Sequence, residues 1–265
     1  MKKITFCQGT ICGGVTMKDR TKPDQNNMAL HVSNDPQGVL ENRRQLEKET
    51  LPLDRWALAW QKHTDQFYHV THKDIGKGAF DKHTSILNVD ALYTTEPEIL
   101  IGVFTADCLG ILVYDPTTPC VCTIHSGWKG TVQKITDKTV SHLIQKQLLH
   151  PQTTQVYFGP SLQFDSLEIG QDVIEQIQTI DMDTAPFLKQ ISDDKALFDN
   201  QGLNIQMLKD LKIPLENIHP SSYDTLKDTQ DTFSYRMNNR LKEFPKCGEH
   251  FIYGYIQKNA SAKTS

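Results

Sequence analysis

Three short runs rich in β-branched residues follow one another in the middle of this chain: Ile99 to Thr105, Leu109 to Asp115 and Cys120 to His125. Asp115-Pro116 and Pro119 punctuate the last two. The runs are almost continuously apolar and do not alternate. Strands of that kind are covered on both faces, so the chain must build a layered α/β protein. The flanking segments agree. Asp35-Pro36 followed by Val39, Leu40, Arg43 and Leu46 reads as a capped helix. Trp56 to Trp60 reads as a strand leading into Gln61-Lys62-His63. Thr131 to Leu149 has helical spacing, and Gln155 to Phe158 is a strand ending at Gly159-Pro160. Asp172 to Ile180 and Leu203 to Leu211 read as helices, and Asn217 to Tyr223 and Phe251 to Ile256 as strands. This alternation predicts an α/β fold with a mixed sheet.

Composition removes several function classes. With 265 residues and a net charge of −4, the chain lacks the broad basic footprint of a nucleic-acid binder. Its longest apolar stretches fall far short of the ~20 residues that span a bilayer. Thr5, Cys7, Gln8 and Thr10 interrupt any apolar run after Lys2 and Lys3, so no signal peptide is expected. The six cysteines form no dense framework and are expected as reduced thiols of a cytoplasmic protein. There is no phosphate-binding G-x-x-x-x-G-K loop, dinucleotide fingerprint, C-x-x-C pair, zinc-deaminase signature or G-x-S-x-G elbow.

Three residues stand out by position. His63 follows a strand, Cys108 ends one in Thr105-Ala106-Asp107-Cys108, and His125 ends another in His125-Ser126-Gly127-Trp128-Lys129-Gly130. Strand ends are where α/β sheets build sites. Two imidazoles and a thiolate would give a borderline-soft ion three ligands and leave a fourth position for water, the catalytic arrangement for zinc. The same set suits copper if a weak axial ligand is added. Cys108 could instead be a nucleophile with His125 as its base, or all three could be ordinary core and surface residues. The residues alone leave these readings open. Lys129 and the amides after Gly127 would sit at a helix N-terminus suited to an anion. Arg43, Arg236 and Arg240 are further oxyanion candidates.

Taken together, these segments resemble the YfiH-like laccase-domain family, described both as polyphenol oxidases and as purine nucleoside phosphorylases. The likeness runs from Gly13-Gly14-Val15 and Asn42-Arg43-Arg44 through Gln61-Lys62-His63, Ala106-Asp107-Cys108 and the tryptophan motif. It continues through Gly159-Pro160-Ser161-Leu162 and Leu167-Glu168-Ile169-Gly170 to Phe233-Ser234-Tyr235-Arg236 and Asn239-Arg240. The resemblance implies one layered α/β/β/α domain with mixed sheets over residues 1–257, followed by a polar tail at 258–265. It implies a zinc ion on His63, Cys108 and His125, with copper as the alternative. The activity implied is phosphorolysis of adenosine, inosine, guanosine and methylthioadenosine, with adenosine deamination. Cys108, His125, Asp107 and Glu168 would be catalytic, the two carboxylates as proton carriers. Arg43, Gln61, Lys129, Arg236 and Arg240 would bind substrate or phosphate. Partners are then a purine nucleoside and phosphate, with no nucleic acid and no membrane; the oligomeric state is left open. Competing readings are a copper polyphenol oxidase, which needs more histidines in paired clusters, a Cys108 amide hydrolase, and a zinc-stabilised interaction protein. The chain departs from the family pattern at Lys62 and Thr64 around the first ligand. It also departs at Ser126 and Lys129 in the tryptophan motif, at Met237 after Arg236, and around Ser221-Ser222. Lys129 keeps a charge but lacks the fork of an arginine.

Overall fold

The three apolar runs form the centre of two packed sheets. The structure, a computed structural model, describes residues 1–241 and 247–258. The expected tail therefore lies outside the described residues apart from Lys258. In chain order the elements begin with β1 (Lys3–Gln8) and β2 (Ile11–Thr16), then α1 (Pro36–Glu47). Next come β3 (Trp56–Trp60), β4 (Phe67–His69), β5 (Ile86–Leu87) and β6 (Ala91–Thr94). The apolar runs are β7 (Leu100–Thr105), β8 (Leu109–Asp115) and β9 (Cys120–Ser126), followed by α2 (Trp128–Val132) and α3 (Ile135–Gln145). The chain continues through β10 (Gln155–Phe158), β11 (Glu168–Gly170), α4 (Gln171–Gln178), β12 (Leu188–Ser192) and β13 (Lys195–Phe198). It closes with α5 (Asn200–Asp210), β14 (Ile218–His219), α6 (Tyr235–Leu241) and β15 (His250–Ile256).

Among the described residues there are two six-stranded sheets, ordered β1-β2-β15-β7-β3-β5 and β14-β10-β8-β9-β6-β4, and a small sheet β11-β13-β12. The two large sheets are mixed: β3 pairs parallel with β7, whereas β7 pairs antiparallel with β15, and β8 with β9. Their inner faces meet where Ile101, Val103 and Ile252 pack on Leu112, Tyr114 and Val121. The outer face of the first sheet carries Leu100, Phe104 and Phe251 under Leu46 of α1. The outer face of the second carries Ile111, Val113 and Ile124 under Val140 and Leu143 of α3 and Leu208 of α5. This α/β/β/α layering explains the unbroken apolarity of β7 and β8: one side chain in two faces the other sheet and the next faces a helix.

Several details differ from the sequence reading. Thr131 to Leu149 is not one helix. Lys134 takes a left-handed conformation (φ 60°) between α2 and α3, so the chain turns where the apolar spacing had suggested continuity. The strand expected at Asn217 to Tyr223 shrinks to two residues, paired with β10. The β1–β2 hairpin, unread in the sequence, brings Cys7 opposite Cys12, and the two form a disulfide. The expectation of six reduced thiols is corrected there: cross-strand register places two sulfurs within bonding reach.

The candidate metal centre

His63, Cys108 and His125 converge at one end of the two sheets. Strand β3 ends at Trp60, β7 and β8 join through Ala106–Cys108, and β9 ends at Ser126. Their ligand atoms all lie within 4.8 Å of one another. Cys108 Sγ is 3.8 Å from His63 Nε2, and the two imidazoles meet edge to face with centroids 4.8 Å apart. Backbone shape makes this possible. His63 and Asp107 both have positive φ, 58° and 85°, a conformation that functional sites hold at some cost.

Asp90 organises the cluster and was not singled out in the sequence. It is fully buried just before β6. Its carboxylate accepts from the backbone N–H groups of Lys62, His63 and Thr64, and from the Thr64 hydroxyl. It also takes His125 Nδ1 at 2.8 Å. Burial opposes its ionisation, but His125 and Thr64 outweigh that and hold the carboxyl well below the usual carboxylate range. One buried carboxylate thus shapes the turn bearing the first ligand and orients the third, leaving His125 Nε2 for an ion. This is the carboxylate–histidine arrangement of metal sites. The sequence signal was an acid among apolar residues in Val89-Asp90-Ala91-Leu92.

Gly127 lies close against His63 and Cys108. A Cβ there would lie 2.8 Å from Cys108 Sγ and 3.2 Å from a His63 ring carbon, so only glycine fits. The donor types, their spacing, the buried orienting carboxylate and this glycine cradle together fit a divalent ion held by His63, Cys108 and His125. Gly127→Ala is expected to displace the thiolate and weaken metal affinity at least ~10-fold, by analogy with loss of an orienting partner, as read by metal titration.

The metal-free electrostatics are also set by the cluster. Burial raises the Cys108 thiol, yet contacts with His125 and His63 bring it down to about 7. Burial lowers His125, but Asp90 and Cys108 lift it to about 10. At pH 8 Cys108 is therefore mostly thiolate and His125 mostly imidazolium. An ion needs neutral imidazole, so its binding must expel the His125 proton. Titration calorimetry at pH 8 in buffers of different ionisation enthalpy should show release of about one proton or more per ion bound. No release would contradict His125 as a ligand.

Beside the cluster lies a cavity of about 510 Å³, bordered by Cys108, Trp128, Asn200, Tyr235, Arg236 and Arg240 among others. That volume suits a small organic molecule. The sequence candidates divide around it. Arg236 and Arg240 from α6 line the cavity, and so does Asp107. Asp107 is not a free proton carrier: its carboxylate accepts from the Thr225 hydroxyl and the Arg236 backbone N–H, both at 2.7 Å. It positions the start of α6. Glu168 is turned to Lys195 in an exposed ion pair and does not border the cavity. Arg43 is buried, with its guanidinium donating to the carbonyls of Met28, Gly78 and Ala79. Its donors stitch loops together, so the expectation of phosphate contact is corrected. Gln61 likewise exchanges two hydrogen bonds with the Phe104 backbone. Lys129 lies over the Trp128 ring outside the cavity wall, and α2 is only five residues long, too short for a strong N-terminal field.

Residues 7–250 match the family model for the multi-copper polyphenol oxidoreductase laccase. The chain belongs to that family. It is 28% identical over 225 residues to a protein of Bacillus subtilis strain 168 named purine nucleoside phosphorylase YlmD, covering 84% of this chain and 80% of that one. The solved structure of the Bacillus licheniformis hypothetical protein YfiH superposes with a TM-score of 0.86 at 26% identity, covering 93% of each chain. YlmD from Geobacillus stearothermophilus gives a TM-score of 0.86 at 26% identity, covering 94% of this chain and 93% of that one. The layered fold read from the apolar runs is therefore a family fold. As in the sequence, so in the structure: no helix of the described residues is long and apolar enough to cross a membrane.

Proposed function

We propose that the chain is a zinc-dependent purine nucleoside phosphorylase. It would convert adenosine, inosine, guanosine or methylthioadenosine and phosphate to the free base and ribose 1-phosphate, with adenosine deamination as a second activity. The observation that carries this reading is the open three-ligand cluster on the wall of a cavity that combines apolar aromatic surface with two arginines. Trp128 offers a face for the base. Arg236 spends two guanidinium N–H groups on the Ser166 and Glu168 carbonyls. Those bonds hold it rigid, and its remaining donors are free for a phosphate oxygen. Arg240 adds a second cation at the exposed rim. A divalent ion on His63, Cys108 and His125 would supply Lewis acidity toward substrate oxygen or nitrogen and lower the pKa of water.

The copper oxidase reading has less support. Among the described residues, His63, Cys108 and His125 form the one group of three or more His, Cys, Asp or Glu placed to hold a metal. Multicopper oxidation of a phenol needs several copper centres. The test is to strip the purified chain, reload it with zinc or copper, and supply inosine or adenosine with and without phosphate. Free base and ribose 1-phosphate should form only with zinc and phosphate together. Oxygen uptake with a phenol on the copper form, without nucleoside cleavage, would overturn the reading, and so would cleavage that survives chelation.

A further inference from the structure

The cavity is divided chemically. Its cations come from α6, where Arg240 is exposed and Arg236 half-buried. Its most buried polar side chain is neutral: Asn200, 5% exposed, at the start of α5. Leu162 and Leu167 are buried with it on the cavity wall, and Trp128 packs against the apolar cluster they belong to.

The Asn200 amide is held in one orientation. Its Nδ2 donates to the Ser126 carbonyl at 3.0 Å, and its Oδ1 accepts the Thr131 hydroxyl at 2.6 Å. A backbone carbonyl only accepts, so the amide cannot turn over without setting oxygen against oxygen. The partners are themselves fixed. Asn204 donates to Thr131 Oγ1 at 3.0 Å and to the Asn200 carbonyl at 2.8 Å, while its own oxygen accepts from Thr136 at 2.6 Å and Ser126 at 3.2 Å. A primary amide carries two hydrogens. Only one on Asn200 Nδ2 has a protein acceptor among the described residues. The other belongs to a buried group on the cavity wall, where a missing acceptor is costly and a bound molecule that supplies one is favoured.

We propose that Asn200 is the specificity-determining residue for the six-position of the purine, donating its second amide hydrogen to the oxo group of inosine or guanosine. The inference rests on the phosphorylase reading above. Charge sets the orientation: phosphate belongs with the arginines of α6, which leaves the uncharged base for the neutral part of the wall, the buried Asn200 and the half-buried Trp128. An asparagine free to turn could serve a 6-oxo or a 6-amino group equally. This one presents only a donor, and the amino group of adenosine offers it no acceptor.

Three nucleosides test it: inosine, adenosine and 6-methylpurine riboside, which fills the six-position without an acceptor. Binding by calorimetry without phosphate and kcat/KM with phosphate should both be measured on the zinc-loaded chain. The wild type should favour inosine over the 6-methyl analogue by about tenfold, the scale of one buried hydrogen bond. Asn200→Ala should erase that preference while adenosine changes less than about threefold. Thr136→Val removes a bond to Asn204 but none to Asn200, and should keep the preference at whatever stability it retains. Equal use of inosine and the analogue by the wild type overturns the assignment even if Asn200→Ala fails to fold. An equal loss of all three nucleosides in Asn200→Ala also overturns it, because it marks a structural role. A chain that cleaves nucleosides without reading the six-position sinks the Asn200 assignment alone. A chain that cleaves none sinks the phosphorylase reading with it.

Discussion

Replacing His125 with alanine should empty the metal site and stop turnover together, while the chain stays folded. His125 is 4% exposed, and its Nδ1 is taken by Asp90, so the substitution deletes one of three ligands outright. Two ligands, the half-buried Cys108 and the exposed His63, cannot compete with water for a divalent ion. Metal content should fall from about one ion per chain to near zero, and nucleoside turnover by at least ~1,000-fold, the scale of losing metal activation. The fold should survive because Asp90 keeps four other donors, from Lys62, His63 and Thr64. The stability cost is then about 3 kcal/mol, the lower end for breaking a buried charged pair, because the carboxylate left behind is still hydrogen-bonded. Elemental analysis, an activity assay and a thermal melt measure the three quantities. A variant with full metal and full rate would show that the ion, if any, is held elsewhere.

Asp90→Ala should have the larger effect on stability. It leaves three part-buried backbone N–H groups of the 62–64 turn and the buried His125 Nδ1 without their acceptor. Removing one partner of a buried charged network costs about 3–5 kcal/mol. For a chain of this size the midpoint should drop by roughly 10 °C. Asp90→Asn separates the two roles. It keeps the shape but weakens the pull on His125, so metal affinity should fall ~10- to 100-fold with a smaller loss of stability. Identical melts and metal affinities for Asp90→Ala and the wild type would refute the organising role.

The sequence marks His125 and Asp90 unequally, and the difference is physical. His125 was visible because it ends an apolar run, and strand ends in α/β sheets face a common edge. Asp90 also borders a strand, but a single acid in a sequence has no mark that tells a buried organiser from a turn cap. Arg43 and Gln61 show the converse. Their motifs suggested substrate contact, yet burial committed their donors to carbonyls of the protein's own loops. A side chain's partners depend on which backbone groups the fold leaves nearby, and composition does not carry that information. The Lys134 break between α2 and α3 and the Cys7–Cys12 disulfide are likewise not legible in the sequence. One is a local backbone state and the other a cross-strand register.

By itself the sequence determined the layering. Unbroken apolarity in β7, β8 and β9 requires cover on both faces, and two sheets between helices provide it. It also placed His63, Cys108 and His125 at strand ends within family motifs, and so offered them as a ligand set. Tertiary structure alone decided what surrounds them. It put the Asp90 carboxylate behind His125, turned Asp107 and Arg43 into scaffolding, and left Arg236, Arg240 and Asn200 on one cavity. Burial pattern is a property of residue type and spacing, and so it is written along the chain. Hydrogen-bond assignment is a property of distance between remote segments, and it exists only once the chain has folded.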